Sequence, residues 1–119
     1  MVYYIYVKII NDKKGSFKMV KHIVMFKFLP EAMGRTKKEN VEIAKNMLEN
    51  LQGKIPTLVS SSVQINSESA NPDNYDLVLI SDYNSWEDLN EYIVHPLHKA
   101  VGEFMKDVRE SRACVDYEY

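Results

Sequence analysis

Val20-Lys21-His22-Ile23-Val24-Met25-Phe26-Lys27-Phe28 alternates along its whole length. Successive side chains of a strand point to opposite faces, so Val20, His22, Val24, Phe26 and Phe28 share one face. Lys21, Ile23, Met25 and Lys27 share the other. The segment reads as the later half of a strand over Phe17 to Phe28. Both of its faces carry apolar residues, so both need cover.

Upstream, Val2 to Ile10 is β-branched and aromatic, which predicts a further strand. Asn11 to Ser16, with Gly15, reads as a turn that would close a hairpin onto the Phe17 to Phe28 strand. Residues 1–18 are thus an N-terminal extension, and 19–119 form one domain. Downstream, Thr36 and Glu39 have the spacing of a capping box, and Val41, Ala44, Met47, Leu48 and Leu51 recur at helical intervals. Gly53 is placed to end that helix, with Pro56 beyond it. Leu58 to Asn66 predicts a strand, Asn66 to Asn74 a loop, and Tyr75 to Tyr83 a strongly apolar strand. Ser85 caps a short helix carrying Trp86, Leu89, Tyr92 and Ile93. A second helical stretch runs from about His98 to Val108, with Val101, Phe104, Met105 and Val108 as its stripe. Trp86, Phe104 and Met105 read as core. Ala113 to Tyr119 closes the chain as a strand.

Without the extension the order is β-α-β-β-α-β. That predicts an α+β, ferredoxin-like antiparallel sheet with helices on one face. A small domain of this kind has nothing left to cover the other face. A second copy packing sheet to sheet is the economical solution, so a homodimer is expected.

The totals exclude several classes. The chain has 119 residues, 45% hydrophobic and 27% charged, which is one ordinary globular domain. A net charge of −2 leaves no basic footprint for nucleic acid. No apolar run reaches the 18 or so residues of a membrane span, and the tyrosine-rich N-terminus lacks the plan of a signal peptide. A single cysteine, Cys114, excludes an internal disulfide and suits a reducing, cytoplasmic setting. Cys114 itself reads as a strand residue without chemistry.

Chemistry concentrates in Glu91-Tyr92-Ile93-Val94-His95-Pro96-Leu97-His98, which holds two of the three histidines. Pro96 has no N–H to give and interrupts helical continuity, so a helix end and a tight turn are expected there. Imidazole titrates near neutrality, and a neighbouring phenol orients a substrate oxygen or relays a proton.

Four segments together resemble the stress-responsive dimeric α/β-barrel family: Met19 to Phe28, Tyr75-Asp76-Leu77-Val78-Leu79, Tyr92-Ile93-Val94-His95-Pro96-Leu97-His98, and Val115-Asp116-Tyr117. They stand in the family's order and spacing over Met19 to Tyr119. The resemblance implies two ferredoxin-like halves closing an eight-stranded barrel across a dimer, each half with its own pocket between sheet and helices. Most members have no established activity. A plant branch contains cyclases that fold a linear polyketide by aldol condensation without cofactor. Carried over position by position, their base is His98, Tyr92 holds the substrate carbonyl, and Asp116 orients His98. His22 matches a pocket-lining histidine, and with His95, at the turn, it completes the ligand-binding candidates. The chain departs from those cyclases at Leu77, where they place another histidine.

Two functions follow. In the first, the dimer binds a small, partly apolar carbonyl compound and performs cofactor-free cyclase or proton-transfer chemistry on it. In the second, the same residues form a buried polar lock in a non-catalytic, structural or stress-associated dimer. A zinc site built from His22, His95 and His98 is disfavoured by the proline between the last two, and haem or oxygenase chemistry rests on analogy alone. No metal, cofactor, nucleic acid or membrane is expected, and the partners are a second copy and a small molecule.

Overall fold

The computed structural model describes residues 18–119. The predicted Val2 to Ile10 strand and its hairpin lie outside the described residues. Strand β1 (Val20–Phe28) alternates buried and more exposed positions as its sequence demands. A two-residue ribbon follows, β2 (Glu31–Ala32) and β3 (Arg35–Thr36), joined through Met33 and Gly34. Both turn residues have positive φ, 55° and 73°, the geometry of a tight primed turn. Met33 is not a residue that announces a left-handed turn, so the ribbon was hidden.

Helix α1 (Lys37–Glu49) starts with the predicted box: Glu39 N–H donates to the Thr36 hydroxyl, and Thr36 N–H donates to the Glu39 carboxylate. It ends before Gly53, which adopts φ 84° in the turns that follow. Fully buried Asn40 accepts from Arg35 Nε at 2.7 Å and donates to the Ala32 carbonyl at 3.1 Å, fastening the ribbon to the helix. Next come β4 (Ser60–Ile65), β5 (Leu77–Tyr83), α2 (Trp86–Val94), α3 (Pro96–Val108) and β6 (Arg109–Glu118). The closing strand begins four residues earlier than predicted. Arg109-Glu110-Ser111-Arg112 is too polar to read as strand, but an edge strand needs only a neighbour, and β1 supplies one down to Phe28.

The sheet order is β4-β5-β1-β6 and every pair is antiparallel, the split βαβ arrangement expected. The face of β1 carrying Val20, Val24, Phe26 and Phe28 meets Val41, Ala44 and Leu48 of α1 and Val101, Met105 and Val108 of α3 in one core. Leu77 is buried there too, paired with Phe26 and Ile65. Trp86, expected in the core, is half exposed; its indole N–H donates to Glu118 Oε2 at 2.7 Å. The opposite face carries Ile23, Met25, Val115 and Tyr117, the last two 60% and 42% exposed. No helix among the described residues is long and apolar enough to cross a membrane.

Candidate functional site

The two helices of the second half are separated by one residue. His95 has ψ 136°, so the helix breaks there, and Pro96 takes the first position of α3, where its missing N–H costs nothing. His95 caps α3 through its ring: Leu97 N–H donates to His95 Nδ1 at 3.1 Å. In an unbroken helix that N–H would have gone to the Ile93 carbonyl. Released, the Ile93 oxygen accepts from His98 Nδ1 at 2.9 Å. A carbonyl only accepts, so the proton sits on Nδ1, and Nε2 of the neutral ring keeps its lone pair. Burial lowers the His98 pKa; the Ile93 bond opposes this, while His22, Arg112 and His95 reinforce it. His98 is therefore an unprotonated base at neutral pH.

The resemblance assigned Asp116 to His98. The structure gives it to His22: Nδ1 and Oδ1 are 2.5 Å apart. The reason is register. His22 and Asp116 are paired residues of adjacent antiparallel strands, so their side chains leave the sheet together. His22 is buried, whereas Asp116 keeps 30% of its side chain exposed. Cys114, two residues earlier on the same face, donates its thiol to Asp116 at 3.5 Å and lies 3.7 Å from His22 Nδ1. Burial, and next the Asp116 charge, push that thiol's pKa up.

Tyr92 is buried beside both histidines, its ring centroid 4.5 Å from His98 and 6.4 Å from His22. Burial pushes its phenol up to about 12, with a hydrogen bond to Tyr83 pulling back. Tyr83, which the sequence reading did not single out, packs on Tyr92 at 5.2 Å and donates to Ser81 Oγ at 3.0 Å. Burial raises its pKa far above the usual range. Both phenols stay protonated and can donate.

A cleft of ≈ 280 Å³ lies between α3 and the sheet. His22 and His98 enter it among Val24, Phe26, Leu79, Val101 and Met105, and Lys106, Arg109 and Arg112 line it as well. Those cations were not foreseen; their helix and strand positions look like ordinary solvated surface. Of the predicted site residues, Tyr92, Asp116 and His95 are absent from this lining: Tyr92 packs against His98, Asp116 reaches the cleft only through His22, and His95 acts in the helix break. Two larger hollows, ≈ 430 and ≈ 570 Å³, border the loop before β5 and contain no histidine. The cleft is the candidate site because it holds the titrating groups. Among the described residues, the one set of His, Cys and acidic side chains close enough to share a metal ion is His22, Cys114 and Asp116, with ligand atoms within 4.8 Å of one another. The trio of His22, His95 and His98, weighed and disfavoured from the sequence, is not such a set among the described residues.

The chain is similar to known proteins of this shape. The stress-response A/B barrel domain-containing protein DABB1 of Arabidopsis thaliana is 30% identical over 99 residues, covering 83% of this chain and 46% of that protein. The chain thus spans about half the length of this curated relative. A dimeric ferredoxin-like protein of unknown function from Bacteroides fragilis is 35% identical, with a TM-score of 0.74 over 85% of this chain and 96% of that one. A hydroxynitrile lyase from Passiflora edulis shares the fold at 16% identity, with a TM-score of 0.69 over 86% and 94% of the two chains. The sequence pattern of the Stress responsive A/B Barrel Domain matches residues 20–119, from the first residue of β1 to the end of the chain. The ferredoxin-like strand order and these matches agree, and the chain belongs to the stress-responsive A/B barrel domain family.

Proposed function

We propose that the protein is a homodimer that binds a small, partly apolar carbonyl compound in the His22–His98 cleft and moves a proton on it without a cofactor. His98 Nε2 removes the proton α to the carbonyl, and the Tyr92 hydroxyl donates to the oxygen as enolate charge develops there. His22, held by Asp116, forms the polar wall of the cleft. The observation that carries this reading is the His98 Nδ1 bond to the Ile93 carbonyl at 2.9 Å, which directs the free lone pair to Nε2. Dimerisation is supported by the exposed apolar side chains of Met25, Val115 and Tyr117 on the sheet and by the dimeric relative. A cytoplasmic location is part of the same reading, supported by the single cysteine, which suits a reducing setting.

The test is exchange of the α-protons of a small methyl ketone in D₂O, followed by NMR. Acceleration by the wild-type dimer that disappears in a folded, dimeric His98→Ala protein supports the proposal. Equal rates for the two proteins overturn it.

A second reading, a non-catalytic structural dimer, is favoured by one observation. Asp116 is spent on His22 rather than on the base, and that bond joins two strands of the sheet. It predicts no exchange activity, with a loss of stability when either partner is removed.

A further inference from the structure

The pairing of β1 with β6 does more than hold Asp116 beside His22. Val24 opposes Cys114 and His22 opposes Asp116, so one histidine faces a thiol and a carboxylate that lie two residues apart on a single strand. All three side chains leave the same face of a hydrogen-bonded ladder, which fixes their origins more firmly than a loop would. Nitrogen, sulfur and oxygen are the ligand types of zinc proteins.

We propose that His22, Cys114 and Asp116 form a binding site for a borderline divalent cation of the zinc type, with a fourth position open to water or a ligand. Distances support it. Tetrahedral zinc, with bonds of about 2.3 Å to sulfur and 2.0–2.2 Å to nitrogen and oxygen, spaces its ligands roughly 3.6 Å apart for S···N and S···O and roughly 3.4 Å for N···O. The observed separations are 3.7 Å for Cys114 Sγ to His22 Nδ1, 3.5 Å for Sγ to Asp116 Oδ1, and 2.5 Å for Nδ1 to Oδ1. Two edges already have the required length. The third is short because a proton bridges it, and opening it by roughly 0.9 Å needs only a turn of the partly exposed Asp116 carboxylate. Binding displaces the thiol proton and any proton on His22 Nδ1, so that sulfur and nitrogen present lone pairs to the ion.

This site uses neither His98 nor Tyr92. It shares His22 and Asp116 with the cleft wall but goes beyond the proton-transfer proposal, and running the ketone exchange on chelator-treated protein lets the two fail separately. The experiment is titration of the full chain, stripped with chelator and kept reduced, with Co²⁺ as a spectroscopic stand-in for Zn²⁺. The expected result is one ion per chain, a thiolate-to-cobalt charge-transfer band, and loss of that band on adding Zn²⁺. Cys114→Ser should abolish the band, and Asp116→Asn should weaken affinity at least roughly tenfold, with circular dichroism unchanged in both. Cobalt held elsewhere by imidazoles and carboxylates would show no sulfur band. Its absence from the wild-type protein, its survival in Cys114→Ser, or unaltered affinity in Asp116→Asn overturns the proposal.

Discussion

The rings of Tyr92 and His98 lie 4.5 Å apart at 49° to each other, although one belongs to the last turn of α2 and the other to the first turn of α3. The break at His95 folds these turns together and makes a phenol the nearest aromatic neighbour of the base. Removing only the hydroxyl keeps that contact. Tyr92→Phe should destabilise the fold by no more than about 1.5 kcal/mol, the worth of a single hydrogen bond. Tyr92→Ala should cost about 3–5 kcal/mol by opening a cavity. Urea denaturation separates the two. On the proposed function, Tyr92→Phe also slows ketone proton exchange.

The folded chain protonates His98 at a lower pH than the ordinary imidazole value of 6.5, chiefly because the ring is buried. The unfolded chain therefore takes up this proton first as acid is added. The stability contributed by the neutral ring is fully present above 6.5 and is lost as pH falls through the folded pKa. Wild-type protein should accordingly lose more stability than His98→Gln between about pH 7 and about pH 5. Urea midpoints across that range check it, and parallel slopes would show that burial does not hold the proton off.

His22 is buried with its Nδ1 on Asp116. Asp116→Ala leaves that nitrogen without the carboxylate and should cost about 1–3 kcal/mol. The substitution should leave the His98 tautomer unchanged, since Ile93 sets it. Chemical denaturation, together with ¹⁵N chemical shifts of the two imidazoles, reads both halves of this expectation.

The outer sheet face presents Val115 and Tyr117 from the edge strand beside Ile23 and Met25. Burying two copies of Val115→Glu against each other would leave unpaired carboxylates inside an apolar contact. Sedimentation should show the wild type as a dimer and this variant shifted to monomer. Persistence of the dimer would place the contact on another surface.

How far the sequence was legible varied with the distance over which each decision is made. The Thr36–Glu39 box, the alternation of β1 and the stripe of α1 are decided within a few residues, and all were readable. The Met33–Gly34 turn and the start of β6 were not, because a non-glycine residue took positive φ and a charged run was recruited as an edge. The His22–Asp116 pair depends on register between strands 94 positions apart. Sequence could show that Cys114 and Asp116 share a face by their spacing of two. It could not show which histidine stands opposite. The cationic lining of the cleft was missed for the same reason: Lys106, Arg109 and Arg112 gain meaning only once α3 and β6 lie beside each other.

The helix break at His95-Pro96 has a consequence for heredity. What distinguishes the reactive nitrogen of His98 from the inert one is a main-chain oxygen that a straight helix would have kept for itself. A relative could retain the histidine and, by replacing the proline and joining the two helices, lose the proton's fixed address. Descent of the side chain and descent of its chemistry are then separate events, and the backbone between Ile93 and His98 decides whether they travel together.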